Sequence, residues 1–160
     1  MAAYLREAGA EARLEELESG TATAEDAARA AGCPLAQIVK SLVFVCDGRS
    51  VVALVPGDKR ADPEKIALAV GAVEARIARG TEIQDATGFE PGAVAPFPLP
   101  NVDKVLIDQG LLGHALVWVG AGSTSHMAAL NPAVLARLAK AQPMDAVQND
   151  TYDSAARGDA

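Results

Sequence analysis

The chain has 160 residues, half of them hydrophobic, few aromatic, and a formal net charge of −7. That length supplies one domain with a single well-filled core, and the apolar share excludes a disordered chain. The acidic balance excludes a protein that coats nucleic acid through many Lys and Arg contacts to phosphates, but not one that grips only the last one or two nucleotides of a strand.

Residues 3–18 carry apolar side chains near helical spacing (Tyr4, Leu5, Ala8, Ala12 and the Leu14–Leu17 pair), which predicts an amphipathic helix closed by Gly20. Glu7 and Glu11 fall early, and no basic start precedes an apolar block, so a secretory leader is not expected. Thr23-x-x-Asp26 caps a second helix that stops at Gly32, ahead of Pro34. Gln37–Asp47 is rich in Ile, Val, Leu and Phe and reads as a strand. Asp47-Gly48 then signals a hairpin to a partner strand at Ser50–Val55. Asp62-Pro63-Glu64 opens a helix running to Gly71, Val73–Ala78 is a short strand, and Thr81-x-x-Gln84 caps a brief helix ended by Gly88. Residues 89–101 hold Pro91, Gly92, Pro96, Pro98 and Pro100, a long loop of the kind that is often functional. Strands follow at Lys104–Asp108 and Ala115–Gly120, then a Gly/Ser/Thr loop over Gly120–Ser125 and a strand at Met127–Leu130. Asn131-Pro132 caps a last helix to about Gln142, and from Val147 a polar, frayed tail is expected. Strands and helices intermix without a dividing linker. We therefore expect one mixed α/β domain over residues 1–146, with a tail over 147–160.

Three places could carry chemistry. Lys40 shares a strand face with Ile38, Leu42 and Phe44, while Val39, Val43 and Val45 face the other way, so its ammonium sits in an otherwise apolar strand. An unpartnered charge there would cost several kcal/mol or lose its proton. Either it snorkels out or pairs with a carboxylate, or it stands at the mouth of a pocket facing an anionic ligand. Gly92-Ala93-Val94-Ala95-Pro96 combines a glycine that permits close backbone approach with a proline that stiffens the exit; a plain turn would need nothing more. Gly120-Ala121-Gly122-Ser123-Thr124-Ser125-His126 offers backbone N–H groups and hydroxyls after a strand. It lacks the downstream Lys and helix of a nucleotide-triphosphate loop. His126 is either a hydrogen-bonded structural histidine or a polar selector in a pocket. His114 and His126 show no metal-ligand spacing, and Gly-x-Ser-x-Gly is absent. Cys33 and Cys46 are expected to be reduced thiols of a cytoplasmic protein, and runs such as Ala115–Ala121 are too short to span a membrane. A hydrolase built from these parts would work by oriented water and backbone donors instead of a covalent nucleophile.

In this order, the segments Gln37–Phe44, Thr87–Pro96 and Gly120–His126 resemble the YbaK-like family, free-standing relatives of the editing domain inserted in bacterial prolyl-tRNA synthetase. The resemblance covers roughly Thr23 to Gln142. It implies a curved, barrel-like mixed sheet surrounded by helices. It also implies hydrolysis of the ester joining an amino acid to the terminal adenosine of a mischarged tRNA, with no metal or organic cofactor. Lys40 would position the terminal phosphate or ribose, Gly92 would hold the aminoacyl group through its backbone, and His126 would help select the side chain. Ser41, Pro96, Gly120, Gly122, Ser123, Thr124 and Ser125 would line the pocket. The implied partners are the acceptor 3′ end and, beyond it, an aminoacyl-tRNA synthetase. The amino acid removed would be small (Ala, Cys, Ser or Thr); Ser41, where alanine-specific relatives tend to carry Asn, points to another small or hydroxylated residue. A non-catalytic module holding aminoacyl-adenosine or the tRNA 3′ end is the competing expectation.

Overall fold

The computed structural model describes residues 13–16, 23–90, 94–123 and 126–149; the side chains of 13–16, 122 and 123 lie outside that description. Strand β1 (Arg13–Glu16) comes first, then helix α1 (Ala24–Ala31), a 3-10 turn at Leu35–Gln37, and the hairpin of β2 (Val39–Cys46) and β3 (Arg49–Pro56). Helix α2 (Pro63–Ala69), strand β4 (Ala75–Ile77) and helix α3 (Gly80–Thr87) follow, then β5 (Lys104–Asp108), a 3-10 turn at Gln109–Gly113, β6 (Val117–Ser123), β7 (His126–Leu130), helix α4 (Pro132–Ala139) and β8 (Gln142–Met144).

Local chemistry sets most of these boundaries. Thr23 accepts from the Asp26 N–H at 3.0 Å and caps α1, and Gly32 ends it in the left-handed conformation. Asp62 accepts from the Glu64 N–H, and Asn131 from the Ala133 N–H, each with proline at the first helical position. Asp47 (φ 50°) and Gly48 (φ 84°) form the two-residue turn that the twist of a hairpin favours. The Asp47 carboxylate also accepts from the N–H groups of Val73 and Glu74, which holds it below the usual carboxylate range.

Two sheets result among the described residues. One has the order β4-β2-β3-β5-β8, antiparallel through β4-β2-β3 and parallel through β3-β5-β8; the other has the order β1-β7-β6, all antiparallel. β2 alternates as its sequence dictates. Val39 and Val43 pack with Val117, Val119, Ala128 and Leu130 of the smaller sheet and with Leu135 and Leu138 of α4, whereas Phe44 and Cys46 pack with Val51, Leu106 and Ile66 of α2. The larger sheet is thus covered on both faces, and its two-sided burial explains the continuous apolar runs of β2 and β3. Among the described residues one parallel bridge, Ile38 to Trp118, joins the two sheets, beside a hydrogen bond from the Gln37 side chain to the Leu116 carbonyl at 2.9 Å. The mixed α/β domain is as expected; the described strands fall into two sheets, with no closed barrel among them.

Four local expectations are corrected. Arg13–Glu16 is a strand paired with β7, not part of a helix; the rest of the predicted helix over 3–18 lies outside the described residues. The helix predicted from Thr81 begins at Gly80, where the Glu82 carboxylate accepts from the Arg79 N–H at 2.8 Å. β6 runs on through Gly120 to Ser123, so half of the Gly/Ser/Thr loop is strand with a register irregularity. The last helix stops at Ala139 because Lys140 turns left-handed (φ 53°), and the chain then adds β8. Val147 and Gln148 are held as well: Val147 bridges to Ala61, and the Gln148 N–H donates to the Arg60 carbonyl at 2.8 Å. No described helix is long and apolar enough to cross a membrane.

Candidate functional site

The strand that carries Lys40 enters the larger sheet beside α1, and this end of β2 forms one wall of a cavity of about 210 Å³. Ile38 to Leu42 supply that wall, Thr23, Ala24 and Ala27 of the α1 region a second, and Gly120 and Met127 of the smaller sheet a third. Val94, from the proline-punctuated loop, completes the lining. Each of the three segments singled out in the sequence therefore gives this cavity at least one residue.

Two glycines make the arrangement sterically feasible. A Cβ on Gly120 would lie 3.0 Å from the Val94 carbonyl oxygen, so glycine lets the loop lie against β6. A Cβ on Gly57 would lie 2.7 Å from the Leu35 carbonyl oxygen and 3.3 Å from Ala24, and the Gly57 N–H donates to the Ile38 carbonyl at 2.8 Å. Gly57 thereby fastens the loop after β3 beneath the turn that leads into β2.

Lys40 is half-buried, and its ammonium donates to the Lys59 carbonyl in that same loop. Burial pulls its pKa below the ordinary lysine value, while Glu25 and Asp58 oppose that shift and Arg60 adds to it. Among the described residues the ammonium is not locked onto a carboxylate, and half-buried it stands at the rim of a cleft rather than in bulk solvent. Next to it, the Ser41 hydroxyl is buried and has no hydrogen-bond partner among the described residues. Buried hydroxyls are ordinarily paired, so this one, on a residue of the cavity wall, is an exception that calls for an explanation.

The other expected site residues fall in three groups. Gly92, Thr124 and Ser125 lie outside the described residues, and Gly122 and Ser123 are described only as the backbone end of β6. Pro96 is buried against a separate recess with Val105, Leu138 and Ala139, away from Lys40. His126 opens β7 opposite Ser123 and is half-buried. Strand alternation sends it to the side of Ala128 and Leu130, whereas Met127 faces the cavity, and His126 is not among the lining residues. The lining residues not among those expected are Thr23, Ala24, Ala27, Ile38, Val39, Leu42, Val94 and Met127. Ile38, Val39, Leu42 and Val94 lie inside the segments singled out in the sequence, Thr23 carried only the signal of a helix cap, and Ala24, Ala27 and Met127 carried none.

The comparisons with known proteins agree with this geometry. The family model described as an aminoacyl-tRNA editing domain matches residues 18–138. The uncharacterized protein YwhH of Bacillus subtilis strain 168 is 34% identical over 120 residues, which are 74% of this chain and 76% of YwhH. The proline–tRNA ligase of Lactobacillus gasseri is 34% identical over 93 residues, or 58% of this chain, and that of Nitratidesulfovibrio vulgaris 35% identical over 113 residues, or 70%. The chain spans only 16% and 20% of the length of those two ligases. Among solved structures, one proposed to be a trans-editing enzyme for prolyl tRNA synthetase superposes with a TM-score of 0.80 at 33% identity, over 93% of this chain and 99% of that one. A solved hypothetical protein gives a TM-score of 0.86 at 28% identity, over 92% and 98%. With the family pattern matched over most of its length and the three motif segments gathered around one cavity, the chain belongs to the aminoacyl-tRNA editing domain family.

Proposed function

We propose that this chain hydrolyses the ester between a small amino acid and the terminal ribose of a mischarged tRNA, acting as a separate editing protein. The observation that carries the proposal is the convergence of Lys40, Ser41, Val94 and Gly120 on a single cavity in a chain of this family.

The cavity, about 210 Å³, falls below the range of pockets that enclose a drug-sized ligand. That size suits an aminoacyl group of a few heavy atoms with the attacking water, and leaves the nucleotide outside. Lys40 at the rim holds the phosphate or ribose of the terminal nucleotide; to do so its ammonium exchanges the Lys59 carbonyl for an anion, a stronger charge-assisted partner. Ser41 gives the bound ester or its water a hydroxyl that can both donate and accept. On the family pattern, Gly92 takes the aminoacyl carbonyl through its backbone, and Gly122 to His126 with Pro96 shape the amino-acid end. Rate enhancement then comes from placing water against a carbonyl whose developing charge meets fixed donors, without a covalent intermediate or a metal. Small side chains differ by too little binding energy for a synthetase to reject them reliably, which is the circumstance in which a second hydrolytic sieve is useful. The partners are the acceptor 3′ end and a synthetase that releases the mischarged product.

The test is a deacylation screen with tRNAs carrying Ala, Cys, Ser, Thr and 2-aminobutyrate. Wild-type protein should cleave at least one of them, and Lys40→Ala should lower kcat/KM by about a hundred-fold, the scale for loss of one positioned electrostatic group. Full activity of Lys40→Ala across the panel would remove Lys40 from the mechanism. Tight binding of a non-hydrolysable aminoacyl-adenosine analogue with no turnover of any charged tRNA would instead identify a binding module.

A further inference from the structure

Lys40 also borders a second, more open recess of about 400 Å³, outside the 210 Å³ cavity. Leu42 is shared between the two as well, so they meet along β2. The outer recess is walled by Arg60, Pro63 and Ile77, with Phe44 beneath. Its composition is distinctive for a shallow surface feature: two cations at one side and an apolar bed at the other. Ile77 lies on the edge strand β4 and is 56% exposed, whereas Phe44 is fully packed and can only serve as floor. Arg60 is exposed, and its guanidinium makes no ion pair or side-chain hydrogen bond among the described residues. On the deacylase reading Lys40 is taken by the terminal nucleotide, so the cation left for a further anion is Arg60.

Two residue steps along a strand cover about 7 Å, so a chain leaving the inner cavity past Lys40 meets this recess within one repeat unit. A single-stranded nucleic acid alternates anionic and flat apolar parts on that scale, and protein tracks for such strands pair a positively charged groove with aromatic side chains for the bases; here the aliphatic faces of Leu42, Pro63 and Ile77 take the place of the aromatic ring. We propose that this recess is a subsite for the nucleotide preceding the terminal one, its 5′-phosphate on Arg60 and its base against Leu42, Pro63 and Ile77. The assignment rests on the deacylase reading for its direction, since it places the ester in the inner cavity. It adds a binding residue, Arg60, and fixes the path of the strand across β2 toward β4.

The experiment compares aminoacyl esters of adenosine, of cytidylyl-adenosine and of 5′-phosphorylated cytidylyl-adenosine, using the amino acid that the wild-type protein cleaves fastest. Arg60→Gln should raise KM about five-fold for the phosphorylated dinucleotide, with kcat retained, and leave the adenosine ester unchanged. Its dependence of log KM on log salt should flatten by about 0.7, the single-strand increment for one phosphate, and Arg60→Lys should restore most of both. Ile77→Asp should weaken both dinucleotides and spare adenosine. An equal effect of Arg60→Gln on all three esters, or no effect on any, overturns the subsite while leaving the deacylase reading in place. Should the wild-type protein cleave neither these esters nor any charged tRNA, that reading fails. The subsite is then judged by binding of amide-linked analogues: loss of affinity confined to the phosphorylated dinucleotide supports it, and equal affinities overturn it.

Discussion

Replacing Ser41 by alanine separates stability from function. The Ser41 hydroxyl is buried without a hydrogen-bond partner among the described residues, so folding removes it from water and returns nothing. A buried polar group left in that state costs about 1–3 kcal/mol, and a hydroxyl sits at the lower end. Alanine deletes the group, leaves the backbone ladder to Leu54 unaltered and creates a void of only one oxygen atom. We expect Ser41→Ala to stabilise the protein by about 1 kcal/mol, which is a rise in Tm of about 2–4 °C for a domain of this size. Calorimetric melting measures the first quantity, and a urea titration with unchanged slope excludes an altered unfolded state. On the proposed deacylase reading, in which the hydroxyl partners the bound ester or its water, the same variant should lose deacylation activity by about ten-fold or more. A protein that melts lower than wild type would refute the argument, since it would mean that the hydroxyl already has a partner. One that melts higher and keeps full activity would leave the hydroxyl unpaired but would remove it from the site.

Gly120→Val should displace the proline-punctuated loop, since even a Cβ would approach the Val94 carbonyl oxygen to 3.0 Å; a loss of about 1–3 kcal/mol in chemical denaturation, with a larger KM, is expected. Asp108 is 4% exposed and accepts from the N–H groups of Gly110 and Ala146, so Asp108→Ala should cost about 2–4 kcal/mol by orphaning both donors, measured as a lower urea midpoint. Glu82 is held at about 2 by Arg76 and by the Arg79 N–H, below an ordinary value of 4.5. Because the folded-state pKa is depressed, its contribution is present above pH 4.5 and is lost as pH falls towards 2. An NMR titration of the Glu82 carboxyl should show that midpoint, and Arg76→Ala should raise it.

What could be read from the chain depended on how local the determining chemistry is. The Asp47-Gly48 hairpin and the caps at Thr23, Asp62-Pro63 and Asn131-Pro132 are each fixed within four residues, and they appear where expected. Arg13–Glu16 is a strand only because β7, more than a hundred residues away, offers it an edge; nothing in its own spacing separates that outcome from a helix. β8 was equally hidden, since Pro143 argues against a strand unless that strand lies at the edge of its sheet, as β8 does. In the site, Lys40 was legible because a charge in an apolar strand demands a reason. The α1 wall was not, because Ala24 and Ala27 look like packing residues, and a cavity is made by volume that side chains leave unfilled.

The lone Ile38–Trp118 bridge has a mechanical consequence. Elsewhere, neighbouring strands are stitched by ladders that resist sliding, but among the described residues the junction between the sheets has one backbone bridge, beside a hydrogen bond from the Gln37 side chain to the Leu116 carbonyl, with Ile38 itself on the cavity wall. Little backbone hydrogen bonding therefore ties the sheets at that point, and what holds them together is the apolar packing of Val39 and Val43 against Val117, Val119 and Ala128. The amides of Ile38 and Trp118 should accordingly exchange with solvent faster than those at the centre of β2 and β3.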